Sequence, residues 1–258
     1  MSRARHAGRT GWVIGASSGL GAASARCLAG EGARLWLSSR PGPNLDGTAK
    51  ELDATALPLD LVEEGAVERA YRTAFSGSPP DFVVMSSGGP PPGPALTLTS
   101  ESLDLAYHAL LRPTRELLVT AGAAMKSAGR GVILVLTSSG VREPIPNLAA
   151  SNAMRAAVTS LAKTAAGELA PYGVRVLCVA PGRIDTGRVR QLDAAAAERQ
   201  SRPVEEVAAA SRSAIPMGRY GEPDEFGQVV SFLCSDEAAY MTGTTVSVDG
   251  GKSTHLLA

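Results

Sequence analysis

The 258 residues predict an α/β fold, a doubly wound parallel sheet with helices on both faces. Three observations predict it. Short apolar runs recur along the chain with helical stretches between them. Several runs, VILVL and VLCVA among them, are continuously apolar, as strands covered on both faces must be. The first run ends in a glycine-rich turn that opens a helix.

In chain order, GWVIGA (11–16) is the first strand. A helix over about 19–31 follows it, with Leu20, Ala23, Cys27 and Leu28 at helical spacing. ARLWLSS (33–39) and ALPLDL (56–61) are strands two and three, and EEGAVERAYRTAF (63–75) is a helix. DFVVMSS (81–87) is the fourth strand, and a long helical segment over about 100–128 leads to GVILVLTS (131–138). The helix that holds SNAMRAAV runs to about 170, and VRVLCVA (174–180) follows. After a helix near 223–235, TTVSVDG (244–250) closes the sheet. The irregular stretch 183–216 reads as two short helices separated by Pro203. Lying at the strand ends, it is expected to be a lid over a substrate. The alternation makes 1–258 one domain, with ligands expected beyond the carboxyl ends of the strands.

Composition narrows the function. Apolar residues make up 44%, ample for a core, and 25 basic residues balance 25 acidic ones. A nucleic-acid binder would carry a basic excess, so none is expected as a partner. The locally basic SRARHAGR at the N-terminus reads as a solvated tail. Cys27, Cys178 and Cys234 lie far apart in apolar patterns, which predicts buried thiols rather than disulfides or a metal site. No apolar run reaches the ~20 residues of a membrane span, and no leader precedes the first strand. The expected place is the cytoplasm.

The turn VIGASSGLG places Gly15, Gly19 and Gly21 after the first strand, with Ser17, Ser18 and Leu20 between and beside them. Such glycines let a pyrophosphate approach, and the helix N-terminus then faces it with partial positive charge. A ligand-free turn is the plain alternative. At the end of strand two a carboxylate would select NAD, but this segment offers Ser39 and Arg40. Arg40 can fork onto a 2′-phosphate, which favours NADP(H), or it is a solvated loop residue. Asp60, followed by Leu61, can touch an adenine amino group or cap the next helix in a capping box with Glu63. Ser87 and Gly88, in SSGGPPPG, give a flat backbone beside a cofactor or simply a rigid turn.

Taken together, these motifs resemble the short-chain dehydrogenase/reductase family. The match runs through GASSGLG, PLDL, TSS, VAPGRIDT, IPMGRYGEPDEFGQVVSFLCS and TGTTVSVDGG, nearly the whole chain. Within the family it is most similar to 3-oxoacyl-carrier-protein reductases, in a divergent branch marked by GGPPPG, PIPNLAASNAMR and IPMGR. The resemblance implies a Rossmann-like domain, a nicotinamide cofactor and a homotetramer (or homodimer). It gives Pro181 and Gly182 the turn beside the nicotinamide, with Ile184 following and Thr186 contacting the amide. Family members react through Asn, Ser, Tyr and Lys. Ser138 matches the serine, Ser151 stands at the tyrosine position, Arg155 at the lysine position, and the asparagine position falls near Leu110.

These replacements change the chemistry. A serine hydroxyl is shorter than a phenol and a far weaker acid. Arginine stays charged at ordinary pH and gives up no proton, yet it can hold a ribose or stabilise negative charge on a substrate oxygen. Arg155 lies one helical turn beyond Ser151 on the same face. Water could supply the proton, or Tyr107 or His108, which otherwise read as structural residues of the helix before strand five; reduction of an enone asks less of a strong acid than reduction of a ketone. Arg183, Arg188 and Arg190 permit an anionic substrate or a carrier phosphate, or form a solvated helix face. The expectation is an NADP(H)-dependent oxidoreductase acting on a carbonyl or enone of a small molecule or acyl substrate. A non-redox enzyme (isomerase, dehydratase or cyclase) and a non-catalytic nucleotide-binding subunit remain the alternatives.

Overall fold

A computed structural model describes residues 4–254. Among them, seven parallel strands form one sheet in the order β3-β2-β1-β4-β5-β6-β7. These are β1 (Thr10–Ile14), β2 (Arg34–Ser38), β3 (Thr55–Ala56), β4 (Phe82–Met85), β5 (Gly131–Leu136), β6 (Val174–Pro181) and β7 (Thr245–Val248). The strand order reverses between β1 and β4, which opens a crevice at their carboxyl ends.

The apolar runs are explained by two cores, one on each face. Trp12, Ile14, Val83, Met85, Ile133 and Val176 point to one face. There they meet α3 (Ala66–Phe75), α5 (Arg112–Ala128) and α6 (Ala149–Leu169). Val13, Val84, Leu134, Leu177 and Val179 point to the other. They meet α1 (Gly19–Gly30), α2 (Pro43–Glu51) and α9 (Pro223–Cys234). Successive strand residues serve opposite cores, so no polar position interrupts them.

Four expectations are corrected. Strand three is only two residues long. Leu57 and Leu59 still donate to Leu37 and Ser39, but Pro58 between them has no N–H to extend a ladder. The helix expected from 63 begins at Ala66, so Asp60 does not cap it. Instead Asp60 accepts from the Val62 N–H at 3.1 Å. The segment over 100–128 divides into α4 (Ser100–Ala106), a π-helical stretch Tyr107–Leu111 and α5. Pro113 lacks the N–H that an unbroken α-helix would need there, and the wider turn absorbs the misfit. Finally, the basic N-terminal segment is no solvated tail over its described part. His6 is fully buried against Ser231, and Arg5 pairs with Glu31 at 2.8 Å. Residues 1–3 lie outside the described residues.

α2 was not expected from the sequence, because PNLDGTAKE holds Pro43 and Gly47 and only Leu45, Thr48 and Ala49 face inward. All three cysteines are free and buried, and burial pushes their thiols up to about 11 at Cys27 and about 12 at Cys178 and Cys234. Among the described residues no helix is long and apolar enough to cross a membrane. The stretch after β6 folds as α7 (Gly187–Gln200) and α8 (Val204–Ser213), with Pro203 between them.

Candidate active site

A cleft of about 890 Å³ runs along the carboxyl ends of the strands. It collects every expected site residue except Gly21. Gly21 acts from behind the lining: a Cβ there would lie 2.1 Å from the Gly15 carbonyl oxygen, so only glycine lets α1 start this close to β1. Gly15 has φ +81°, and a Cβ on it would lie 1.8 Å from the Ser86 carbonyl oxygen. Both positions therefore demand glycine for reasons of backbone approach.

The N-terminus of α1 opens into this cleft uncapped. The Ser18 side chain makes no capping hydrogen bond, and no acidic residue occupies the first turn. The free N–H groups and the helix dipole are left for an anion. Ser39 and the exposed Arg40 follow at the end of β2, and Arg40 pairs with no carboxylate among the described residues. Asp60 and Leu61 complete this end of the cleft. A dinucleotide fits these features: open N–H groups for its pyrophosphate and an unpaired guanidinium where a 2′-phosphate would lie.

The other end is built by β4, β5, β6, α6 and α7. Ser138 follows β5, and its hydroxyl accepts from the Gly140 N–H at 3.1 Å. Ser151 and Arg155 extend the buried stripe of α6 that includes Val158, Ala162, Ala166 and Leu169. The Ser151 hydroxyl makes no hydrogen bond among the described residues. Arg155 is 9% exposed. Its Nη1 donates to the carbonyls of Leu136 (3.1 Å) and Thr137 (3.0 Å), and its Nη2 to that of Ser87 (3.2 Å). Three hydrogen bonds leave part of its five-donor capacity for a ligand. Burial, with Arg188 nearby, pushes this guanidinium down to about 10, so it is still cationic at neutral pH.

Pro181 ends β6 and Gly182 follows it, where a Cβ would lie 2.6 Å from Cβ of Asp249. Ile184 is buried beneath Gly221. Thr186 caps α7, its hydroxyl accepting from the Val189 N–H at 3.4 Å. Gly88 lies open on the cleft wall.

The structure also sorts the residues that the sequence left ambiguous. Tyr107 and His108 do not line the cleft, and Leu110 is fully buried. Arg183 is neutralised by Asp193 at 2.7 Å, and Arg190 by Asp185. Arg188 has no acidic partner; its Nη2 donates to the Pro90 carbonyl at 2.9 Å. Lys252 also lines the cleft, and burial lowers its pKa. Sequence reasoning missed it, although its place just beyond the carboxyl end of the last strand was a usable signal.

A seven-stranded parallel sheet of this order, with a glycine-lined crevice at its switch point, is a doubly wound Rossmann-like α/β fold. Residues 15–253 match the family model described as enoyl-(acyl carrier protein) reductase. The chain belongs to the short-chain dehydrogenase/reductase family of NAD(P)-dependent oxidoreductases, which act on small molecules. It is 32% identical over 253 residues to dehydrogenase/reductase SDR family member 4 of Sus scrofa, covering 95% of this chain and 87% of that one. Among solved structures it is similar to an NADPH-dependent reductase involved in bacilysin biosynthesis, with TM-score 0.89 and 25% identity over 96% of this chain and 99% of that one. It is also similar to levodione reductase, with TM-score 0.88 and 28% identity over 96% and 98% of the two chains.

Proposed function

We propose that this chain is an NADP(H)-dependent reductase of an enone or carbonyl on a small molecule or acyl substrate, with a proton-transfer site that lacks the family's tyrosine and lysine. The observation that carries the reading is the acid-free end of β2, where Arg40 stands unpaired on the same cleft as the uncapped α1. Gly15, Ser17, Ser18, Gly19, Leu20 and Gly21 would hold the pyrophosphate, Ser39 and Arg40 the 2′-phosphate, and Asp60 and Leu61 the adenine. Ser87, Gly88, Pro181, Gly182, Ile184 and Thr186 would seat the nicotinamide end. When bound, NADPH supplies a hydride. The divergent-branch resemblance to 3-oxoacyl-carrier-protein reductases supports an acyl substrate and a homotetramer or homodimer, and the place of 183–216 at the strand ends supports a lid formed by α7 and α8.

Ser138, Ser151 and Arg155 are assigned to the reacting end. No phenol lines the cleft, and Asp60 is its one carboxylate among the described residues. A serine hydroxyl cannot match a phenol as an acid, so protonating a developing alkoxide is difficult here. An enolate oxygen asks less, and the remaining donors of Arg155 with the Ser151 hydroxyl can stabilise it. This favours enones over simple ketones.

A non-redox reading on the same cleft has one observation in its favour: Arg155 directs three hydrogen bonds to backbone carbonyls rather than into the cleft. Titration with NADPH and NADH, followed by nicotinamide fluorescence, tests the cofactor half of the reductase reading, and hydride transfer to an acceptor separates it from the non-redox one. Tight NADPH with weak NADH is expected, and Arg40→Asp should reverse the preference. Binding of neither would overturn the reductase reading.

A further inference from the structure

The cleft is basic in a chain of zero net charge. Arg40, Arg155, Arg183, Arg188, Arg199 and Lys252 line it against Asp60 alone among the described acidic residues. A dinucleotide accounts for Arg40, and Asp193 for Arg183. Two buried or half-buried guanidiniums remain with no carboxylate partner, Arg155 and Arg188.

These two meet at one loop. Arg155 reaches it from α6 and donates to the Ser87 carbonyl. Arg188 reaches it from the first turn of α7 and donates to the Pro90 carbonyl. Its Nη2 also lies so close to Gly89 that a Cβ there would be 3.2 Å away. Both cations thus face the loop after β4, at the reacting end of the cleft. Burial disfavours both charges, and the nearby Arg188 lowers the pKa of Arg155 further. Carbonyl dipoles offset this only in part, and an anion placed between the guanidiniums would remove the remainder.

We propose that the substrate carries an anionic group, a carboxylate or a phosphate, gripped by Arg188 with Arg155 beside it. The proposal deepens the reductase reading and rests on it for the word substrate. It explains why Arg188 alone of the three arginines near the start of α7 has no acid: Arg183 and Arg190 are each neutralised within the fold.

The test is calorimetric titration of the NADP⁺-saturated protein, so that the cofactor's phosphates are already bound. The probes are inorganic phosphate, 4-oxocyclohexanecarboxylate and the methyl ester of that acid. Arg188→Gln is compared with Arg190→Gln on the same helix. We expect at least one anion to bind the wild type and Arg190→Gln, about ten-fold or more tighter than it binds Arg188→Gln. The acid bound tighter than its ester assigns a carboxylate; phosphate alone assigns a phosphoryl group. If neither anion shows binding that depends on Arg188, the proposal falls. It also falls if Arg188→Gln weakens NADPH about ten-fold, because Arg188 then serves the cofactor's phosphates. A protein that binds no nicotinamide sinks the reductase reading instead, and phosphate titration of the free protein still reads the anion site.

Discussion

The two ends of the cleft are made differently. The end formed by β1, α1 and β2 works through backbone: uncapped N–H groups, a φ of +81° at Gly15 and the close approach of Gly21. The end formed by β5, α6 and α7 presents side chains, with Ser151, Arg155 and Arg188 lining the cleft. A site made of backbone tolerates little change without loss of the fold. A site made of side chains can change its reaction while the fold stands, and the proposed reductase relies on that difference: a kept nucleotide end beside a changed reacting end.

The largest effect should come from disturbing the backbone end. Gly15→Ala forces a Cβ against the Ser86 carbonyl at a left-handed φ, and it should cost about 3 kcal/mol or more and abolish NADPH binding. Denaturant unfolding and fluorescence titration read both. Next comes the reacting end. Ser151→Tyr with Arg155→Lys should raise ketone reduction about a hundred-fold, since a tuned general acid contributes on that order. The fold should remain intact, and steady-state NADPH consumption measures the gain. An unchanged rate on every ketone would mean the pocket geometry, not the acid, is limiting.

A smaller effect is expected from Arg155→Lys alone. One ammonium cannot satisfy the carbonyls of Leu136, Thr137 and Ser87 with a planar fork, so about 1–3 kcal/mol of stability should be lost in urea melts. The smallest lies outside the cleft lining, at the start of α9. Arg219 beside Glu225 holds its carboxyl down to about 2, helped by the Glu222 N–H. The depressed value means this support is present above the usual carboxylate pKa and fades as pH falls from about 4.5 toward 2. Both side chains are about half exposed, so solvent screens the pair. Glu225→Gln should flatten only the acid limb of a Tm-against-pH curve.

The strand runs and the glycine turn were legible because burial on both faces and close backbone approach leave few residue choices. Ser151 and Arg155 were legible as members of one helical face. What escaped depended on partners distant in sequence. Nothing local distinguishes Arg188 from Arg183, whose partner Asp193 lies ten residues on. Arg155 is tied to Ser87, sixty-eight residues earlier. The N-terminal segment looked like a tail because its anchors, Glu31 and Ser231, lie on α1's end and on α9. Asp60 had the spacing of a cap but no helix to cap.

Deuterium transfer tests the central claim most directly. The wild-type protein is incubated with NADPH deuterated at C4 on either face, and with a panel of matched enones and ketones. Products are weighed by mass spectrometry. Label should appear in the saturated product of at least one enone, from one face of the nicotinamide, and less or none in the ketones. NADPH that binds tightly yet never gives up its label to any acceptor would contradict it and leave the cleft to a non-redox reaction.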